Sequence, residues 1–161
     1  MFKKLLNKKL LKNQKGLTLI ELLAVIVILA IIAAIAIPAI GNIIENSRYN
    51  AVKADAINVL NAANIYFTDN PEVPGPIEVK AHLIENKYLE TAGKIPNNAT
   101  IERGTTGPNG LTTAAITFSG SGSNAKQVTF VKATIISINA DITKGSKING
   151  NKNIDHTVPT P

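Results

Sequence analysis

Between Leu22 and Ile40 the chain carries 19 consecutive residues with no polar side chain, all aliphatic or alanine apart from Pro38. At about 1.5 Å per residue such a run makes a helix about 28 Å long, close to the roughly 30 Å of hydrocarbon that a spanning helix crosses. The core helix of a water-soluble domain presents polar residues at each turn, and this run offers none. It predicts one membrane-spanning helix.

The charge before the run sets its orientation. The chain has 17 Lys+Arg against 11 Asp+Glu, and the first 15 residues hold Lys3, Lys4, Lys8, Lys9, Lys12 and Lys15 with no acid. The whole net charge of +6 therefore sits in this flank, and from Leu17 onward the chain is formally neutral. Lysines placed just before an apolar run mark the cytoplasmic side, so the expected topology is N-terminus inside and C-terminus outside. The same placement removes the nucleic-acid reading that a basic isoelectric point invites. With four Phe, three Tyr and no Trp, there is little from which to build a base-stacking surface.

Catalysis and metal chemistry find little support. The absence of cysteine excludes disulfides and thiolate chemistry. His82 and His156 lie far apart and lack partners at ligand spacing, so no metal is expected. Beyond the apolar run there is no Ser/His/Asp set and no phosphate-cradling glycine loop, and no enzyme or cofactor is expected.

Downstream the pattern changes twice. Past Gly41, polar residues interleave with aliphatics, and Val52, Ala56, Val59, Ala63 and Tyr66 recur at helical spacing with Leu60 and Phe67 beside them. This amphipathic stripe needs a partner to cover it. Asp69-Asn70-Pro71 ends the helix, because proline lacks an amide donor and restricts the residue before it. A helix is thus expected over 17–69, about 80 Å long. A proline loop follows over 71–76, then a short second helix over 77–90. The segments 100–102, 111–119 and 127–138 are rich in β-branched residues and are separated by Gly/Pro/Asn/Ser turns. They predict a small antiparallel sheet of three or four strands covering the stripe. The fold class is therefore α+β: a long N-terminal helix packed on a small antiparallel sheet. After Asn139 the chain becomes rich in Lys, Asn and Gly, and 139–161 reads as a mobile tail. The expected organisation is a leader over 1–16, an apolar helix half over 17–41, an amphipathic half over 42–70, a head over 71–138, and that tail.

The junction Lys15-Gly16-Leu17-Thr18-Leu19-Ile20-Glu21-Leu22-Leu23, followed by the aliphatic run, resembles the N-terminal signal of type IV pilins and the related pseudopilins. The likeness is close over roughly residues 10–50 and elsewhere extends only to the order of elements. It implies a membrane aspartic peptidase that cuts between Gly16 and Leu17 and methylates Leu17. It also implies a pilin-like fold and a segment before Pro38 that bends or loosens on filament packing, with Gly41 adding freedom. A plain kink at Pro38 is the alternative. An ordinary secretory signal places its small-residue cut site after the apolar segment, whereas here the glycine precedes it. Leu17 stands where Phe is common in the family, and the cysteine pair that closes a loop in many members is missing.

Glu21 has two readings. Thr18-Leu19-Ile20-Glu21 fits a capping box, in which Thr and Glu satisfy free amides at a helix start. A charged acid at the bilayer centre costs about 2.5 to 3.5 kcal/mol on insertion scales, so it needs a partner there. Cleavage would create one, since the α-amino group freed at Leu17 is largely protonated at neutral pH and could pair with Glu21 of a neighbouring subunit.

The reading that follows is a structural subunit of a type IV pilus-like filament, a homo-oligomer built from a membrane-anchored precursor. Its partners would be the prepilin peptidase, the cytoplasmic membrane and the pilus assembly machinery, and its final place the cell surface. A pseudopilin of a type II secretion or competence DNA-uptake machine shares every N-terminal feature. A single-span membrane-anchored binding protein that never polymerises is the alternative from a different class. The resemblance leaves DNA binding open, and no residue pattern supports it.

Overall fold

The computed structural model describes residues 18–105 and 107–156. They are α+β and pilin-like: helix α1, Leu19–Asp69, followed by two small sheets that cover part of it. The expected leader, and with it Gly16 and Leu17, lies outside the described residues. The chain divides into two compact units at the bond between Ile40 and Gly41.

In the first unit α1 carries aliphatic side chains on every face. The large ones, from Leu19, Ile20, Leu22 and Leu23 to Ile40, are all exposed. The helix continues through Pro38. Proline has no N–H to give, so the Ala34 carbonyl loses its usual intrahelical donor.

In the second unit the expected stripe is buried, from Val52 through Ala56, Val59, Leu60 and Ala63 to Phe67, and it extends one step further back to Tyr49. Ala56 and Ala63 are fully buried, and their small side chains let the sheets approach the helix closely. The covering residues include Ile77, Leu83, Ile101, Leu111, Val128 and Phe130, in one continuous core. α1 ends at Asp69, where both the backbone N–H and the side-chain amide of Asn70 donate to the Tyr66 carbonyl at 2.9 Å. Arg103 then fixes the proline loop, donating to the carbonyls of Pro71 at 2.7 Å and Val73 at 2.9 Å while its guanidinium lies 5.4 Å from the Phe67 ring.

The first sheet orders β1 (Ile77–Glu78), β2 (Thr100–Glu102) and β3 (Gly110–Thr112), all antiparallel. The second orders β4 (Ile116–Ser119), β5 (Lys126–Val131) and β6 (Asn151–Asp155). β4 and β5 are antiparallel, with a register shift between Thr117 and Ser119. A single bridge, Leu111 to Ala133, joins β3 to the residues just after β5.

The structure corrects three expectations. The second helix over 77–90 is instead the short strand β1 followed by a π-helical turn, Val79–Ile84. Its first donors are taken by neighbouring chain, Val79 by the Ala99 carbonyl and Lys80 by that of Asn97, both at 3.0 Å. The strand over 127–138 stops at Val131. Lys132 adopts a left-handed φ of 52°, and Thr134 caps a short helix, α2 (Ile135–Ala140). Thr134 Oγ1 accepts from the Ser137 amide at 3.1 Å and Ser137 Oγ from the Thr134 amide at 3.0 Å, a reciprocal capping box.

The third correction concerns the tail. Residues 139–156, expected to be mobile, return through α2 and a 3₁₀ turn (Gly145–Lys147) to lay β6 parallel to β5 over five paired positions. Parallel pairing requires such a crossover, and residues 132–150 supply it. Ile148 and Ile154 are the buried anchors of this return.

Candidate processing and assembly site

Thr18 precedes the first turn of α1 and caps it. Glu21 Oε2 accepts from the Thr18 amide at 2.8 Å and from its hydroxyl at 2.9 Å, and the Glu21 amide approaches Thr18 Oγ1 at 3.3 Å. The capping box read from the sequence is thus formed. A carboxylate has about four acceptor positions. Both bonds fall on Oε2, and Oε1 has no hydrogen-bond partner among the described residues. The carboxylate that precedes the apolar run therefore still has an acceptor to offer.

The next feature is the apolar surface itself. An 18-residue stretch of this half is unburied throughout, and α1 is long and apolar enough to cross a membrane. Leu19 is 82% exposed and Ile20 75%, so even the residues flanking Glu21 lack cover. Burying one such side chain stabilises by about 1.5 to 3 kcal/mol relative to water. Over the aliphatic residues from Leu19 to Ile44 that amounts to some tens of kcal/mol of burial that the subunit by itself leaves unused.

Pro38 lies within α1, 17 positions after Glu21 and so about 25 Å away along the helix. The two do not share a site. A Cβ built on Gly41 meets nothing within 4 Å, so packing inside the subunit does not require glycine there. Gly41→Ala is expected to slow amide exchange around residues 38–45 about fivefold, the equivalent of the roughly 1 kcal/mol by which alanine is the better helix former. Unchanged exchange would show that Gly41 contributes no local freedom.

A second constellation, invisible in the sequence, ties the residues after α2 to the first turns of α1 within the head. Asp141 Oδ2 accepts from the buried Tyr49 hydroxyl at 2.5 Å, and Oδ1 from the Thr143 hydroxyl at 2.6 Å. Lys53 Nζ lies 3.4 Å from Asp141 Oδ2 and also donates to the Asp141 carbonyl, while Lys152 Nζ is 3.7 Å from Oδ1. Burial by itself would raise the Asp141 carboxyl, but the Thr143 and Tyr49 hydrogen bonds and the two lysine charges outweigh it and hold the group low. Burial, reinforced by the bond to Asp141, pushes the Tyr49 phenol far up, so it remains a donor. Beside this cluster, Lys126 pairs with Glu45 at 2.7 Å, and that hydrogen bond is the main cause that holds the Glu45 carboxyl down. One sequence signal could have pointed here: Tyr49 stands one helical step before Val52 and Ala56 on the buried stripe, and a buried hydroxyl needs a partner.

His82 does not approach His156 in any metal-like set. Its Nδ1 accepts from the Glu78 amide at 3.1 Å, and its ring packs edge-on against Tyr66. Among the described residues no three His, Cys, Asp or Glu side chains gather into a metal-holding group.

Residues 11–37 match the family model described as the prokaryotic N-terminal methylation motif. No curated protein and no solved structure matches the chain.

Proposed function

We propose that this chain, which carries the methylation motif of class III pilin signals over residues 11–37, is a prepilin whose mature form is a structural subunit of a type IV pilus-like filament. The observation that carries the reading is the coincidence of that motif with a helix whose apolar half is unburied throughout. The motif and the helix together make the chain a membrane-anchored protein, and they point to a structural rather than a catalytic role.

In this reading a prepilin peptidase cuts between Gly16 and Leu17 and the lysine-rich leader is lost. The new α-amino group, methylated or not, stays cationic at neutral pH. Each mature subunit then presents a cation at Leu17 and a carboxylate at Glu21, four positions apart. Within one subunit Glu21 is engaged by Thr18 through one oxygen, which leaves the other for the amino group of an adjacent subunit. The aliphatic surface passes from lipid to neighbouring helices without meeting water, so its burial is retained while the ion pair sets the axial register. Pro38 and Gly41 give the helix the local freedom to adjust as it packs.

The mass of the mature N-terminus tests this most directly. Protein isolated from its own cells is expected to begin at Leu17 and to carry one added methyl group. A chain that keeps residues 1–16 would exclude processing and favour an uncleaved membrane anchor. Cleavage without methylation would leave the filament reading intact and remove only the modification.

A further inference from the structure

We infer that the membrane-proximal rim of the head, formed by Arg48, Lys144 and Lys147, is a docking surface for anionic lipid headgroups. The inference rests on the membrane anchorage by the apolar half of α1 and on no further part of the filament reading.

At this end of the head the carboxylates are already taken. Glu45 is held by Lys126, and Asp141 by Lys53 and Lys152. Arg48, Lys144 and Lys147 are exposed and have no side-chain hydrogen bond or ion pair among the described residues, apart from the field of Arg48 on Glu45. At the other end of the amphipathic helix acid is in slight excess, with Glu72, Glu78 and Glu85 exposed beside Lys80 and Lys87. The excess of free base over free acid therefore lies at the rim end of the head.

It is also held there firmly. The 3₁₀ turn that carries Lys144 and Lys147 is pressed on α1 at Gly145, where a Cβ would lie 2.6 Å from the Glu45 carbonyl oxygen and 2.7 Å from Tyr49 Cβ. The Ser146 amide donates to Asn46 Oδ1 at 2.9 Å, and Lys126 Nζ to the Ser146 carbonyl at 3.2 Å. Only glycine permits so close an approach.

The chain distance fixes what this rim meets. Glu45 and Asn46 follow Ile40, the last residue of the apolar run, by five and six positions, or about 8 to 9 Å of helix. The headgroup layer beyond the hydrocarbon is about 5 to 8 Å thick per leaflet, and exposed charges act over a Debye length of about 8 Å at physiological ionic strength. Lysine and arginine stems at this height reach the phosphates. Because the anchor lies in the same chain, lipid is present at high effective concentration before any second copy arrives. That favours headgroups over the acidic end of another subunit as the occupant.

The chain has no cysteine, so Ile142→Cys introduces a single labelling site beside the turn, at a residue 93% exposed. The full chain carrying a fluorophore there is reconstituted in phosphatidylcholine vesicles with and without phosphatidylglycerol, each containing headgroup spin-labelled lipid. Quenching is expected to rise about twofold or more in the anionic vesicles. It should fall back at high salt and be lost in the Arg48→Gln/Lys144→Gln/Lys147→Gln chain, whose exposed substitutions leave the head's melting unchanged. Equal quenching in the two vesicles would overturn the inference. Shielding that grows with protein density at either lipid composition would also overturn it, by assigning the rim to a second copy. Flotation of the vesicles separates the two premises: a chain that does not float overturns the anchorage and the rim together, whereas a floating chain with composition-independent quenching overturns the rim alone.

Discussion

Asp141→Ala is expected to destabilise the head by about 2 to 3 kcal/mol and to lower its melting temperature by about 10 °C, measured by denaturation of the full chain in detergent. The substitution strands the buried Tyr49 hydroxyl and leaves Lys53 and Lys152 without their carboxylate. Removing one partner of a buried pair costs about 3 to 5 kcal/mol, but Lys152 is more than a third exposed and rehydrates, which sets the lower figure. The loss also depends on pH. The folded Asp141 carboxyl lies below its ordinary value of 3.8, so the native state binds fewer protons than the unfolded chain as pH drops. Its contribution is complete above about pH 5 and disappears as pH falls through the folded value. Wild type and Asp141→Ala should therefore differ most near neutrality and converge in acid. A difference below about 0.5 kcal/mol at pH 7 would reduce Asp141 to an ordinary surface acid.

Glu21→Ala is expected to lower filament yield at least about tenfold while leaving membrane insertion and the fold of the head intact. Losing the capping box costs the first turn about 1 kcal/mol, too little to unfold a helix that the membrane supports. The comparison that separates the roles is Glu21→Gln. Its side chain can still accept the Thr18 bonds but cannot pair with a cation. If Glu21 acts in assembly through its charge, the glutamine chain fails as the alanine chain does, and if capping is its whole role the glutamine chain assembles normally. Wild-type yield from Glu21→Ala would remove the ion-pair model altogether.

Features of short range were the ones legible in the sequence. The apolar run, the stripe from Val52 to Phe67, the stop at Asn70-Pro71 and the Thr18/Glu21 capping box each depend on a local period or a spacing of a few residues. β6 was hidden because an edge strand needs little apolar content. In Asn-Lys-Asn-Ile-Asp only Ile154 is buried, and the parallel backbone ladder to β5 does the rest. The Tyr49–Asp141 bond spans 92 residues, and no local pattern announces it. The break after Val131 was written in the sequence, as Thr134 and Ser137 at capping-box spacing, but the β-branched run around it concealed the cap. At the candidate site, the Thr18/Glu21 cap was legible from its spacing, whereas the clasp that closes the head was left to the tertiary fold.

The parallel pairing of β6 with β5 has a consequence for timing. Residues 41–131 can form a helix, hairpins and part of a core as they emerge, yet the second sheet keeps an open edge beside β5 until Asp155 is available. Closing it draws together strands separated by the whole of residues 132–150, the kind of non-local contact that slows folding. During that interval the bare edge of β5 is open to pairing with another chain. If the apolar half of α1 holds the chain in a membrane, as proposed, that edge meets other chains only across the membrane surface, and the sheet completes itself under that confinement.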